Sequence, residues 1–430
     1  MRYQRTLRLM REARGLSGGR LVAAVCAAQV LVQIGAFFWP ALLPRMIPLW
    51  ELTNAEAGWI TAVFYGAYML SVPILVTLTD RVDAKRVYLF GVGCTIAGHL
   101  LFGFYADDFW SAMLTRALTG IGWAGTYMTG VKLLADQVDA KLMSRAVTGH
   151  AASIGVSGAL SFSCADLIAN AFGWEAAFIA AGVSAALAWC IVAMAAPRRK
   201  APAEKAADGG ALFDFRPVFR NRSAMAYAQA YCIHTLEMNA LRGWGVAFLG
   251  FVAIGAGDAW RLSPAAVLTA LGLIGTAASV LGNEAAIRLG RRRLISAAML
   301  GSIAVAVALG TIGTLSYAVA VVLLLAYGFV VWLDSSSLTA GAAGTAEPSR
   351  RGATLAVHST LGYAGGFVGP LMIGYTLDLF GGMSRAAWGA AFFMVAALML
   401  CALVAFHLMR PRELAGDRAL DPHARLPGRS

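Results

Sequence analysis

The chain has 430 residues, of which 59% are hydrophobic and 13% charged, with a net charge of +12. A soluble globular chain carries about 25% charged residues, so this composition excludes a soluble fold and points to a membrane protein with many spans. The 35 Lys+Arg against 23 Asp+Glu do not indicate a nucleic-acid partner, because they sit in short segments between apolar runs, as the positive-inside rule distributes them.

Residues 1–20 read as a basic arm. The apolar run that follows is too long for a cleavable signal core, so the arm is expected to be retained. A span needs roughly 20 apolar residues. Candidate spans cover 21–46, 57–79, 87–105, 109–135, 142–171 and 176–196. A polar stretch, 197–223, reads as a linker. Six more spans follow at 224–254, 265–289, 294–315, 317–343, 353–380 and 386–409. Residues 410–430 are polar and contain proline, and read as a poorly ordered tail. The expected fold is therefore an all-α membrane protein of about twelve transmembrane helices in two six-helix halves, 21–196 and 224–409. The six cysteines (Cys26, Cys94, Cys164, Cys190, Cys232 and Cys401) all fall within apolar runs and show no metal-ligand spacing. They read as small buried hydrophobes.

Connections on one side hold Arg81, Lys85, Arg86, Lys141, Arg145, the run Arg291–Arg293, Arg350 and Arg351, while the other side holds little beyond Arg45, Arg261 and Arg385. Both termini and the linker are thus expected in the cytoplasm, and the protein in the cytoplasmic (inner) membrane. The halves also echo each other. "DRVDAKR" at 80–86 corresponds to "IRLGRRR" at 287–293. "GHAASIGVSGALS" in the fifth span corresponds to "VHSTLGYAGGFVG" in the eleventh, matching His150 with His358 and Gly158 with Gly366. A nearly constant offset marks an internal duplication, a common origin of transporters.

In the loop after the second span, Asp80, Arg81, Lys85 and Arg86 fall where the major facilitator superfamily carries Gly-x-x-x-Asp-Arg-x-Gly-Arg-Lys/Arg. Val76 and Asp83 replace its glycines. The fourth span matches the family's Arg-x-x-x-Gly-x-Gly with Arg116, Gly120, Gly122 and Gly125, and "FGWEAAF" at 172–178 resembles the family's sixth-span start. The chain therefore resembles that family over roughly residues 20–410. The resemblance implies two bundles around a cavity lined by spans one, four, seven and ten. It also implies a cytoplasmic gate in which Asp80, Arg81 and Arg86 approach Asp136. Lys132, near the end of the fourth span, reads as a snorkelling side chain.

The stretch "YCIHTLEMNALRGW" at 231–244 places a histidine, a glutamate and an arginine inside an apolar run. On a helix Tyr227, Tyr231, His234, Glu237 and Met238 share one face. A charge at the bilayer centre costs about 2.5 kcal/mol or more and is normally directed at a partner or a cavity. Candidate substrate-binding residues are Gln33, Tyr65, Arg116, Tyr231, His234, Arg242 and Tyr363. Glu237 and Asp334 are the candidate proton carriers. Structural ion pairing between helices is the competing explanation for these charges.

No Walker sequence, zinc spacing or nucleophile arrangement is present, so no enzyme activity and no cofactor are expected. The expected function is secondary active transport of a small solute, an organic or inorganic anion, by alternating access with proton coupling. Its partners would be the solute, the proton and membrane lipid, with the chain acting as a monomer. An exporter of amphipathic compounds and a receptor on a transporter scaffold are the alternatives. Single cysteines placed in the termini and linker of a cysteine-free variant should resist an impermeant thiol reagent on intact cells and react after permeabilisation. Labelling from outside would reverse the topology.

Overall fold

A computed structural model describes residues 16–79, 81–197, 215–256, 262–414 and 417. The N-terminal arm up to residue 15, Asp80, the middle of the linker, Arg261 and the last residues of the tail lie outside the described residues. Hydrocarbon offers no partner to backbone N–H and C=O groups, so the spans satisfy them internally as helices. The first half contains α1 (Gly18–Gln33), α2 (Phe38–Leu49), α3 (Asn54–Leu78), α4 (Ala84–Tyr105), α5 (Phe109–Ala135), α6 (Ala140–Phe172) and α7 (Trp174–Ala195). The second contains a short α8 (Arg216–Arg220), then α9 (Arg222–Ala256), α10 (Pro264–Leu289), α11 (Arg291–Ile312), α12 (Tyr317–Trp332), α13 (Ser335–Thr345), α14 (Arg351–Leu379) and α15 (Arg385–Met409). The second half thus begins inside the stretch read as linker.

Nine helical units among the described residues are long and apolar enough to cross a membrane. Three further long helices, α5, α9 and α14, complete twelve crossings. They carry the buried charges and many of the glycines, which dilute their hydropathy. Two crossings are not continuous. The first breaks at residues 34–37 between α1 and α2, and the tenth breaks at Leu333 and Asp334 between α12 and α13. Both breaks are packed against a partner that admits little more. A Cβ on Gly35 would lie 2.5 Å from His99, and one on Gly282 of α10 would lie 1.8 Å from the carbonyl of Leu333.

The lysine- and arginine-rich connections gather at one end of the bundle, called here the basic end. At the opposite, far end, polar caps start most of the entering helices. Thr53 and Glu56 form a capping box on α3, Asp108 and Ser111 do so on α5, and Ser263, Ser316 and Ser384 cap α10, α12 and α15.

Glycines let the helices approach where lipid supplies no hydrophobic drive. Gly91 of α4 faces Gly125 of α5, and Gly365 and Gly369 of α14 sit on the carbonyls of Cys232 and Leu236 of α9. The halves meet along α3 with α14, α6 with α10, and α2 with α9. At the far end the first of these contacts is clasped. Asp378 at the end of α14 accepts from the backbone N–H groups of Asn54 and Ala55 at 3.1 and 2.7 Å, and from the Asn54 amide at 2.7 Å. A carboxylate on a helix N-terminus is favoured by the exposed N–H groups and the dipole.

The start of the tail is ordered, which corrects the sequence reading. Glu413 accepts from the backbone N–H groups of Arg291 and Arg292, capping α11. Asp417 takes a two-pronged bond from the buried Arg291 guanidinium at 3.0 and 2.9 Å. Tyr227 donates to the carbonyl of Arg412. A buried arginine needs such partners, and they come from residues that look like a disordered tail by composition.

The glycine contacts make a direct prediction. In Gly365→Ala the new Cβ would lie 1.9 Å from the Cys232 carbonyl, so thermal melting in detergent should fall, by roughly 1–3 kcal/mol. Gly93→Ala, with nothing within 4 Å, should hold melting or raise it slightly, since alanine loses less backbone freedom in a helix. Equal behaviour of the two variants would show that the α9–α14 contact is not tight.

Candidate functional site

Near mid-depth the seventh span, α9, brings four of the expected residues into three different surroundings. Tyr231 and His234 stack with their rings 5.6 Å apart, and Tyr231 stacks at 4.1 Å on His358 of α14. His234 Nδ1 lies 2.9 Å from Asp334 at the break of the tenth crossing. Both are buried. His358 in turn faces the Thr339 hydroxyl at 3.2 Å. One turn further along α9, Glu237 accepts from the Tyr327 hydroxyl of α12 at 2.5 Å through Oε1. Its Oε2 is buried without a hydrogen-bond partner. The polar stripe therefore points into the second half, while Tyr227, at its start, is turned to the tail.

The positive groups lie elsewhere. Arg116, about 10 Å along α5 from the far end, is 2% exposed. It donates to the Ala36 carbonyl at 3.3 Å at the break of the first crossing, and its guanidinium lies 4.7 Å from the Phe64 ring. Arg242, half-buried, lies 5.1 Å from the ring of Phe37 in the opposite half and 4.7 Å from that of Trp332. Among the described residues neither guanidinium is ion-paired. Tyr65 is within electrostatic reach of both. Aromatic faces give a desolvated guanidinium about 2 kcal/mol, well short of what a carboxylate would return. A buried and a half-buried cation from opposite halves thus keep unspent attraction for an anion.

Gln33 lines a narrow cavity in the first half with Phe64, Thr95, His99, Thr119 and Trp123. Both atoms of its amide and the Trp123 N–H are buried without partners. Tyr363 packs against Tyr68 across the halves, 3.8 Å between centroids with the rings tilted by 33°, and closes the space between α14 and α3 toward the basic end.

The described residues expected at the gate lie at the basic end of the first half. Asp80 lies outside the described residues, Arg81 and Arg86 are exposed, and Asp136 pairs with Lys132 at 2.5 Å. Lys132 therefore does not simply snorkel, although an ion pair this exposed contributes little. Sequence reasoning missed Tyr327, the donor to Glu237. It lies seven residues before Asp334, on the same helical face, and that spacing could have exposed it. It also missed Phe37, Phe64 and Trp332, whose faces carry the guanidiniums and which read as ordinary apolar residues.

Two six-helix halves with broken crossings, and guanidiniums without ion-pair partners among the described residues, define a multi-pass helical membrane protein with a duplicated bundle. The family model described as the Major Facilitator Superfamily matches residues 21–370, and the chain belongs to that family. It is 27% identical over 252 residues to protein spinster homolog 1 of Homo sapiens, covering 55% of this chain and 47% of that protein. To protein spinster homolog 3 of Danio rerio it is 23% identical over 238 residues, covering 53% and 47%. The chain thus spans about half the length of the curated relatives it matches. Among solved structures, a bacterial homolog of the human lysosomal transporter Spinster, in an inward-facing and occupied conformation, superposes with TM-score 0.73 at 15% identity, covering 94% of this chain and 98% of that one. The nucleoside transporter NupG superposes with TM-score 0.68 at 15% identity, covering 91% and 99%. At these identities the structures share the fold.

The His234–Asp334 contact makes a stability prediction. Removing one of two buried polar groups in contact leaves the other without its neighbour, at about 1–3 kcal/mol. His234→Ala should therefore lower melting sharply, and adding Asp334→Asn should recover part of the loss. Purely additive losses would show that the two residues do not stabilise each other.

Proposed function

We propose that the protein is a proton-coupled secondary transporter of a small organic or inorganic anion, working by alternating access in the cytoplasmic membrane with its basic end in the cytoplasm. The observation that carries this reading is the pair Arg116 and Arg242. They come from opposite halves, are packed on aromatic faces and lack carboxylate partners among the described residues. An anion seated between them would bind both halves at once, so binding and closure become one event. Gln33, Tyr231, His234 and Tyr363 complete the substrate contacts in this reading. Asp80, Arg81, Arg86 and Asp136 are assigned to the gate at the basic end.

Glu237 is the proposed proton carrier. It stands in the middle of a span with one oxygen held by Tyr327 and the other unpartnered. Asp334 already has His234 beside it and plays the smaller part. An exporter of amphipathic compounds is the second reading. The observation in its favour is the gathering of aromatic side chains, Trp244, Phe248, Trp388 and Phe392, near Glu237.

Proteoliposomes with an imposed proton gradient test this against a panel of labelled anions and organic cations. Anion accumulation is expected. Arg116→Gln and Arg242→Gln should each weaken anion binding about tenfold or more, equivalent to about 1.4 kcal/mol. Glu237→Gln should abolish proton-driven accumulation and keep solute exchange, with Asp334→Asn milder. Accumulation of cations alone would favour the exporter. Normal accumulation by Glu237→Gln would make that residue structural.

A further inference from the structure

One cavity of the second half lies outside the contacts assigned to the anion. It is bounded by α9, α12, α14 and α15, and its wall includes Glu237, Trp244, Phe248, Tyr327, Trp388 and Phe392. Two polar atoms on that wall are buried and unpartnered, the Oε2 of Glu237 and the indole N–H of Trp388. The other indole in the same wall, that of Trp244, donates to the Pro370 carbonyl at 2.9 Å. A free donor and a free acceptor therefore remain on this wall. Glu237 is 1% exposed and Trp388 2%.

The cavity has a direction. Trp388 is in the first turn of α15, which starts at the far end. Trp244 and Phe248 lie seven and eleven residues beyond Glu237 along α9, roughly 10–16 Å nearer the far end. The lining therefore runs from near the start of α15 to Glu237 at mid-depth, within the second half. A buried water needs two to four polar partners. Water beside Glu237 can donate to Oε2 and to the lone pairs of the Tyr327 hydroxyl, which itself donates to Oε1, and water nearer the far end can accept from the Trp388 N–H. The other polar neighbours of Glu237 are Ser302 and Asp334.

We propose that this cavity is a water site and that its water, arriving as hydronium, delivers a proton from the far face to Glu237. In the transfer one O–H bond of hydronium breaks and one forms at Oε2, leaving water and a neutral carboxyl group. The site rests on the reading of Glu237 as the carrier. It separates the proton's route from the solute's, since the anion would sit across the halves and the water within one of them.

Radiolytic hydroxyl-radical labelling of the purified full-length protein, read by mass spectrometry, reports side chains next to bound water. Trp388 and Phe392 should be labelled despite their burial. Ala391→Leu, which fills the cavity, should cut that labelling severalfold. In proteoliposomes Ala391→Leu should slow proton-driven accumulation and spare solute exchange. Trp388→Phe, which keeps the ring and removes the donor, should do the same and guards against a misfolded leucine variant. Unlabelled Trp388 in the parent protein, or labelling unchanged by Ala391→Leu, would overturn the water site. Labelling as expected with accumulation unaffected in both variants would overturn the proton route. Glu237→Gln should retain the labelling, so failure of Glu237 as carrier registers separately from failure of the site.

Discussion

Hydrocarbon neither donates nor accepts a hydrogen bond, and this governs the whole molecule. It forces the spans into helices and pushes polar caps to the ends. It also requires most buried charges to find partners within the protein. Lys85 reaches the carbonyls of Ala193 and Ala196 at 2.8 and 2.5 Å, Arg291 takes Asp417, and Asp334 has His234. Against that background Arg116 and Arg242 stand apart, because aromatic faces and one carbonyl are all that receive them. A solvent so intolerant of bare charge makes an unbalanced pair at mid-depth the natural place to look for a charged cargo.

The same solvent supplies no force to push helices together, so contact depends on close fit. Glycines at Gly91, Gly125, Gly365 and Gly369 bring backbones within reach of each other inside the regions that must stay rigid. Between the halves the fit is combined with bonds that can be broken. Asp378 holds the N-terminus of α3 by three hydrogen bonds at the far end, and Tyr68 packs against Tyr363 nearer the basic end. Rigid halves joined by separable clasps are what rocking about a central site requires.

The sequence makes the number of spans, their division into halves and the basic asymmetry legible, because each is a matter of composition over windows of twenty residues. It also shows which residues are out of place in such windows, and Glu237, His234, Arg242, Asp334 and Arg116 are all found that way. Pairing is less visible. His234 meets Asp334 a hundred positions away across a break in the tenth crossing, and no local period carries that. Tyr327 and Trp332 read as apolar filler until a charge is seen beside them. The tail fails for a related reason. Its proline and charges are the composition of disorder, and only the buried Arg291 across the fold makes them structural. Asp80, the most family-specific residue of the loop motif, lies outside the described residues.

The strap made by Glu413 and Asp417 has a consequence for how the protein is made. The cap on α11 comes from a residue 122 positions later in the chain. At a synthesis rate of about 5–20 residues per second, that interval is roughly 6–24 seconds. Throughout it Arg291 has been translated and its carboxylate partners have not. The guanidinium must then wait at the watery surface, and α11 cannot seat its first turn as it does in the finished fold. The basic end of the second half is therefore locked late, after the twelfth crossing has left the ribosome, and quality control has a window in which an incomplete chain differs from a complete one by an exposed arginine.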